Sequence, residues 1–295
     1  MSLAVLVSCH GTVDSVDDLP SFLSNIRRGR PTPPHLVEEV KRRFEAIGGS
    51  PLMRTTRAQA ASLAERTGLR VEVCGRLWHP YAKDVLPRLA AEGTDTIVSL
   101  PLAPQSVHVY HASIRESLPP GLRMIEVPEW GTEPALIDAF VDSIEEALST
   151  LPGDLAAKAT VLLTAHSLPQ RIIDMGDPYE RDFRTMATLV EQRVTARGNP
   201  CQVAFQSQGA TNDVWLGPDL PTTFKALVEA GQKAVVVAPI GFVADHVETL
   251  YDLDIEARKM AGDMGLHFAR AAAMNTRPKF LEALANVARA ASKLA

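Results

Sequence analysis

The sequence predicts an α/β protein built from two doubly wound, parallel-sheet (Rossmann-like) domains. Short runs rich in β-branched residues alternate with helix-length amphipathic stretches, and this alternation starts a second time in the second half of the 295 residues. Runs such as Ala234–Ala238 are apolar throughout, as expected for parallel strands that helices cover on both faces. The length also suits two domains of about 100–200 residues each.

The predicted strands divide the chain near residue 131. The first half has strands at 3–9, 69–75, 95–100 and 123–127, and the second half at 159–165, 202–205, 233–238 and 266–269. Segment 128–134 contains two prolines and a glycine, which is typical of a boundary. We therefore predict an N-terminal domain at 1–131 and a C-terminal domain at 132–275, followed by an amphipathic helix at 276–295.

Composition excludes several classes of function. The 30 Lys and Arg against 35 Asp and Glu give a net charge of -5, so the chain has no general basic field for nucleic acid. No apolar run reaches the roughly 18 residues that a membrane-spanning helix needs. Cys9, Cys74 and Cys201 lie far apart, without C-x-x-C spacing, which favours a reduced, cytoplasmic setting.

Polar residues follow several predicted strands, at the edge where open α/β sheets bind ligands. His10 follows the first strand, His166 follows the first strand of the second half, and Asp245, His246 and Glu248 follow strand 233–238. Taken alone, His166 fits equally well a structural histidine that caps a loop and a histidine of a functional site.

An acidic stripe is predicted on the helix that opens near Asp245. Glu248, Asp252 and Glu256 recur at i, i+4 and i+8, with Asp245 three residues before them. Such a stripe is often a solvated helix face, but no Lys or Arg interrupts it before Arg258. Carboxylates together with imidazole suit Fe(II), Zn(II) and similar cations, so a path for a divalent metal is the other interpretation.

Two further clusters allow more than one interpretation. The run 26–30, which contains Arg27, could compensate a helix dipole or clamp the carboxylates of a ligand. His108 and His111 have metal-chelating spacing, but without a third ligand we interpret them as surface or pocket-rim residues.

Several dispersed motifs, in the same order, resemble those of the ferrochelatase family. The most specific are Ala165-His166-Ser167-Leu168-Pro169, Trp215-Leu216-Gly217-Pro218, and the run from Gly241 to Tyr251. Segment 176–179 belongs with the first of these motifs, and segments 26–30, 46–52 and 205–207 support them. The resemblance covers nearly the whole chain and is strongest to the small bacterial branch that metallates coproporphyrin III.

This resemblance implies a chelatase-like fold, with a porphyrin cleft between two similar domains and helix 276–295 packed back on the first. It implies an enzyme of haem biosynthesis that inserts Fe(II) into coproporphyrin III or protoporphyrin IX and releases two protons. Fe(II) and the porphyrin are then substrates. No cofactor is expected to remain bound, and no [2Fe–2S] cluster is expected because the cysteine-bearing extension of some relatives does not occur here.

The resemblance also assigns the site residues. It places His166 and Glu248 on opposite sides of the porphyrin plane, as catalytic and metal-handling groups, with Asp252 and Glu256 along the outer metal path. The positions it implies for porphyrin contact are His10, Arg27, Arg43, Phe44, Ser50 and Ile114. His10 stands where this branch usually has a tyrosine that ligates product iron, and Ile114 where it has a pocket tyrosine.

Two alternative functions remain open from the sequence. His10-Gly11-Thr12 is similar to the start of shorter cobalt or nickel chelatases of early tetrapyrroles. A non-catalytic porphyrin or haem carrier, with His10 as axial ligand, would retain haem tightly and insert no metal.

Overall fold

A computed structural model describes residues 2–209 and 212–294. The strands are β1 (Leu3–Cys9), β2 (Arg70–Gly75), β3 (Thr96–Pro101), β4 (Arg123–Glu126), β5 (Thr160–His166), β6 (Cys201–Gln206), β7 (Ala234–Ala238) and β8 (His267–Arg270). The helices are α1 (Leu19–Ile26), α2 (Pro34–Ala46), α3 (Leu52–Thr67), α4 (Ala82–Ala91), α5 (Val107–Arg115), α6 (Pro134–Ser149), α7 (Gln170–Asp174), α8 (Tyr179–Thr195), α9 (Leu220–Glu229), α10 (Val247–Leu250), α11 (Arg258–Asp263) and α12 (Pro278–Ser292). A π-helical segment, Asp252–Ala257, separates α10 from α11.

The chain forms two compact units. Unit 1 contains the residues up to Trp130, the short segment Ala244–Val247, and the residues from Asn275 onward; unit 2 contains Gly131–Val243 and Glu248–Met274. Residues 1 and 295, where the predicted domain assignments begin and end, lie outside the described residues.

Unit 1 is a parallel sheet in the order β2-β1-β3-β4 with helices on both faces. Successive strand residues point to opposite faces. Ala4 and Leu6 of β1 therefore pack in a cluster with residues of α4 and α5, while Cys9 contacts Met53 of α3, with 3.5 Å between the sulfur atoms.

Helix α12 packs within unit 1. Arg66 of α3 forms a 3.0 Å ion pair with Glu282, and Phe280 lies 6.3 Å from the Trp130 ring, centroid to centroid. The apolar spacing predicted this helix and its buried face. Its place beside α3 depends on contacts more than 200 residues apart in the sequence, such as that between Arg66 and Glu282.

Unit 2 repeats the arrangement with the order β6-β5-β7-β8, again entirely parallel. One face of its sheet packs against α9, the π-helical segment and α11 through a cluster that includes Leu162, Phe224 and Leu253. On the other face, Phe183 of α8 contacts Phe205 of β6, with 5.5 Å between ring centroids. The two parallel sheets flanked by helices confirm the predicted α/β class.

One sequence interpretation in unit 1 is wrong. His111 is not a surface or pocket-rim residue but is 3% exposed, on the buried side of α5. Its Nδ1 lies 2.8 Å from the Ser99 hydroxyl and its Nε2 lies 2.9 Å from the Val127 carbonyl. The carbonyl can only accept, so Nε2 carries the proton and Nδ1 accepts from Ser99. No sequence pattern indicates these two partners, which lie in β3 and just after β4.

Protonation of His111 should oppose folding. Burial lowers its pKa below the ordinary value near 6.5, against the smaller opposing effect of the Val127 hydrogen bond. A lowered folded-state pKa contributes stability that is present above the unfolded pKa and is lost as the pH falls through the folded pKa. We expect His111→Gln to flatten the fall in urea midpoint between about pH 7.5 and 5. The exposed His79→Gln serves as control; an equally steep fall in both variants would contradict this role.

Candidate active site

His166 is the last residue of β5 and lies at the carboxyl edge of the sheet in unit 2. β5 is buried almost to its end, and its alignment with β6 places His166 opposite Gln206. The Tyr179 hydroxyl donates a 2.8 Å hydrogen bond to the His166 carbonyl, which fixes the backbone at this point. The side chain is 31% exposed, so it is held by the fold yet reachable.

Glu248 meets His166 from α10. Its Oε2 lies 3.1 Å from His166 Nδ1, although the two residues are 82 positions apart. An ionised carboxylate only accepts, so Nδ1 donates and Nε2 is left as the nitrogen with a lone pair whenever the ring is neutral. This is a histidine whose outer nitrogen can take a proton or bind a cation, oriented by a carboxylate.

The charge of His166 depends on this contact. Burial lowers the pKa of His166, but the charge of Glu248, its hydrogen bond and the charge of Asp252 together raise the pKa above the ordinary value. Burial and nearby charge acting together on a titratable group are typical of proton-transfer groups in enzymes.

Gln206 positions the main chain that carries Glu248. It is 3% exposed and accepts a 2.7 Å hydrogen bond from the Thr164 hydroxyl at Oε1, while its Nε2 donates to the Glu248 carbonyl over 3.3 Å. In the sequence, Gln206 stands out only as part of segment 205–207 of the resemblance, which implies no role for it. Its position at the carboxyl end of a central pair of strands was the available signal.

Ser207 holds Asp252 from the next position. Its hydroxyl donates to Asp252 Oδ2 at 2.5 Å. Its backbone has φ 59°, in the left-handed region that a non-glycine residue seldom adopts. Such conformations persist where surrounding contacts hold them, often at functional sites. Ser207 is a second residue that sequence reasoning did not assign.

The acidic stripe differs from the regular helix that the sequence predicts. Asp245 precedes α10 and accepts a 2.7 Å hydrogen bond from the Asn275 amide, so it does not belong to the same helical face. The Glu256 amide donates to the Tyr251 carbonyl, five residues back, which marks a π turn. Because this turn is wider than an α-helical turn, Asp252 and Glu256 do not stack as α-helical neighbours. Asp252 is half-buried and Glu256 is exposed.

Two nearby basic side chains pair with Asp254. Arg270 forms a two-pronged ion pair with Asp254, at 2.7 and 2.8 Å, and Arg258 lies 3.6 Å from the same carboxylate. Asp254 was not part of the predicted stripe. Asp254 is therefore an acid whose charge two arginines offset.

The residues predicted to contact porphyrin belong to unit 1. His10 is exposed at the end of β1, with Nδ1 3.2 Å from the Gly11 carbonyl. Arg27 follows α1, and its buried Nε has no hydrogen-bond partner among the described residues. Arg43 pairs with Glu39 at 2.6 Å, one turn away on α2.

The other three predicted contacts of unit 1 are less polar. Ser50 precedes α3, and its hydroxyl accepts from the Leu52 amide at 3.5 Å. Phe44 is 2% exposed in a cluster with Val13, Leu19 and Phe22, and Ile114 is 2% exposed on the buried side of α5. Phe44 thus serves the core of unit 1, whereas Ile114 packs in the core and also lines a cavity near the end of β1.

Among residues 2–209 and 212–294, no group of three or more His, Cys, Asp or Glu side chains is arranged to hold a metal ion. His166 and Glu248 therefore offer two ligands that lie within hydrogen-bond distance of each other. Two ligands suit a cation that is passed on, because structural metal sites use a closed set of about four.

Comparison with known proteins identifies the family. A family model for ferrochelatase matches residues 2–292. The chain belongs to the ferrochelatase family. This confirms the family predicted from the motifs, and with it an enzyme of porphyrin metallation.

Individual relatives of the family agree over almost their full length. The chain is 34% identical to the ferrochelatase of Acidobacterium capsulatum over 97% of this chain and 93% of that protein. It is also 34% identical to the coproporphyrin III ferrochelatase of Bacillus subtilis, over 97% and 96%, and 35% identical to the ferrochelatase of Deinococcus radiodurans, over 97% and 94%.

Solved structures support the fold. SirB from Bacillus subtilis with Fe3+ superposes with a TM-score of 0.63 at 15% identity, covering 98% of this chain and 95% of that one. CbiX, the terminal enzyme for biosynthesis of siroheme in denitrifying bacteria, gives a TM-score of 0.53 at 16% identity, covering 99% of both chains. At these identities the likeness concerns the chelatase fold alone.

Proposed function

We propose that this member of the ferrochelatase family inserts Fe(II) into coproporphyrin III in haem biosynthesis, with release of two protons. The observation that carries the proposal is the hydrogen-bonded pair of His166 and Glu248 at the carboxyl edge of unit 2. The names of several relatives, including the one from Bacillus subtilis, support coproporphyrin III as the porphyrin.

The reaction requires a proton acceptor and a ligand that receives the metal. A free-base porphyrin loses two pyrrolic N–H protons when Fe(II) binds, and the iron must exchange water for nitrogen ligands. Neutral His166 can accept a proton at Nε2, and Glu248 then stabilises the imidazolium through its contact with Nδ1. The same two groups can ligate incoming Fe(II).

The porphyrin-binding residues are proposed to lie in unit 1. Arg27 and Arg43 supply guanidinium groups, which match carboxylates in geometry and charge. Coproporphyrin III carries four propionates, so cationic side chains suit it. His10, exposed at the end of β1, is proposed to contact the bound porphyrin through its imidazole.

The first test is anaerobic Fe(II) insertion, followed by porphyrin absorbance, with coproporphyrin III and protoporphyrin IX in parallel. We expect turnover with a higher kcat/KM for coproporphyrin III. A higher value for protoporphyrin IX would overturn the choice of porphyrin. Binding of both porphyrins without turnover would overturn the catalytic proposal and favour a carrier, and turnover with Co(II) or Ni(II) but not Fe(II) would reassign the metal.

Asp252 and Glu256 are proposed to attract iron toward the pair. Removing their charge with Asp252→Asn and Glu256→Gln together should raise the KM for Fe(II) about tenfold and leave the Kd of the porphyrin unchanged, because the lost attraction acts on the cation. These assays should be run at a pH well above the pKa of His166. Asp252 also raises that pKa, so at lower pH its loss would change the protonation state of His166 as well.

The matched control removes the same two charges elsewhere in unit 2. Glu229 and Asp263 are 66% and 64% exposed, and Glu229→Gln with Asp263→Asn should leave the KM for Fe(II) unchanged. An equal KM for Fe(II) in both double variants would show that Asp252 and Glu256 are simply part of a solvated helix face.

We also propose a cellular location and the cofactor requirement of this protein. Within the described residues no helix is both long enough and apolar enough to span a membrane. Cys9, Cys74 and Cys201 are free thiols, which supports a reduced, cytoplasmic environment. We propose that catalysis uses no [2Fe–2S] cluster, because an all-thiolate cluster takes four cysteines and this sequence has three.

A further inference from the structure

Unit 1 contains a polar cavity of about 190 Å³, lined in part by Ile114, to which the proposed function assigns no ligand. It lies where β1 and β2 end, between the first turn of α4 and one side of α5. Its polar lining includes Ser8, Arg76, Lys83, Ser113, Glu116 and Ser117. The carboxyl edge of an open parallel sheet is where such folds bind ligands.

Ser8 gives the cavity an unmet hydrogen-bonding group. The residue is 1% exposed, and its hydroxyl has no hydrogen-bond partner among the described residues. Strand alternation places Ser8 on the same face of β1 as Ala4 and Leu6, toward α4 and α5. A buried polar group without a partner is unfavourable, so a ligand that bonds to it gains affinity.

The charge of the cavity is positive. Arg76 and Lys83 supply two cations, and Glu116, exposed at the rim, supplies one acid. The Arg76 guanidinium lies over the Tyr110 ring at 5.9 Å and the Lys83 ammonium over the Tyr81 ring at 5.1 Å. These aromatic contacts hold both cations at the wall of the cavity.

Helix α4 adds backbone donors to the same space. Ala82 and Lys83, its first two residues, both line the cavity. The first N–H groups of a helix have no partner within the helix, and the dipole favours an anion beside them. The preceding residue, Tyr81, makes no side-chain cap that would occupy these groups.

We infer that this cavity binds a small oxyanion, a carboxylate or phosphate group, through Arg76, Lys83, the start of α4 and the Ser8 hydroxyl. Its volume is below the roughly 300–1,000 Å³ of pockets for drug-sized ligands, so it suits a small anion or one anionic arm of a larger ligand. The oxyanion is either a propionate of the porphyrin, which would rest on the proposed function, or a free phosphate.

Inorganic phosphate and acetate are the direct probes. Calorimetric titration and the rise in Tm should both show saturable binding to the wild-type chain in the millimolar range or tighter. Arg76→Gln should weaken binding about tenfold or more, and Ser8→Ala several-fold, because each removes one donor to the anion. Lys225→Gln removes the same charge from a 74% exposed side chain of unit 2 and should leave the Kd unchanged.

Competition between phosphate and coproporphyrin III distinguishes a porphyrin propionate from a free phosphate as the bound oxyanion. If phosphate raises the apparent Kd of coproporphyrin III and Arg76→Gln weakens both ligands, the anion is a propionate; if phosphate binds without competition, it is a separate ligand. Both results support the site. Absence of saturable binding of either probe to the wild type, or an equal Kd in wild type and Arg76→Gln, overturns it. These titrations need no iron insertion, so their failure and the failure of the proposed function are distinguishable.

Discussion

His166→Ala is expected to reduce Fe(II) insertion by a factor of about 10²–10⁴, while the Kd of the porphyrin changes by less than about threefold. The imidazole is proposed to accept a pyrrolic proton, and alanine leaves Glu248 without the ring it orients. The loss should appear in kcat with KM for porphyrin nearly unchanged, as for an interaction made in the transition state. Stopped-flow absorbance under anaerobic conditions measures both quantities.

A second histidine of unit 2 provides the control for His166→Ala. His267 is exposed on β8, in the same unit, and His267→Ala should insert iron at the wild-type rate. Circular dichroism of both variants checks that the fold is retained. Insertion by His166→Ala at the wild-type rate would remove His166 from the mechanism and leave Glu248 as the remaining candidate base.

Glu248→Gln is expected to lower the pKa of His166 and to slow iron insertion by about 10²-fold or more. The amide has the shape of the carboxylate and can still accept from Nδ1, but it has no charge to offset the burial that lowers this pKa. NMR titration of the His166 ring should give a pKa below that of the wild type. The slower rate follows because the imidazolium and the cation both lose a carboxylate.

The pH dependence has a definite sign. Neutral imidazole is the proton-accepting form, so the rate rises with pH through the pKa of His166, and Glu248→Gln should move this rise to lower pH. The raised folded-state pKa also means that the pair stabilises the wild type below the unfolded pKa near 6.5, and that this contribution is lost as pH rises through the folded value. The difference in Tm between wild type and variant should therefore shrink at higher pH.

Glu229→Gln on α9 is the control for this charge change, and it should alter neither the His166 titration nor the rate. An unchanged His166 pKa in Glu248→Gln would contradict the coupling between the two side chains. An unchanged rate with a lowered pKa would instead limit Glu248 to adjusting His166.

The strands were predictable because their signal is local. Apolar, β-branched runs predict β1 at 3–9 as observed, and place the other strands within one residue of their bounds. The residue that follows each predicted strand is equally visible, so His166 could be selected as a candidate, and the structure places it as the last residue of β5. The class of the fold followed from the same runs, since parallel strands must be covered on both faces.

The helix after β7 was predictable in place but not in geometry. A four-residue carboxylate spacing predicts one continuous α-helical face, but the structure contains a π turn at Asp252–Ala257. The local sequence is compatible with both, and the wider turn accompanies packing of Leu253 and Ala257 into the core of unit 2. Packing partners distant in sequence decide between the two geometries.

The sequence by itself determined the α/β class, the ferrochelatase family, and the selection of His166 and Glu248. Each follows from periodicity or from motifs whose residues are adjacent along the chain. Only the tertiary structure decided that Glu248 contacts His166 Nδ1, that Gln206 and Ser207 hold the acids beside it, and that Ser8 faces a cationic cavity. These contacts join residues tens of positions apart, and their geometry depends on how parallel strands align and on which side chains remain without partners after packing.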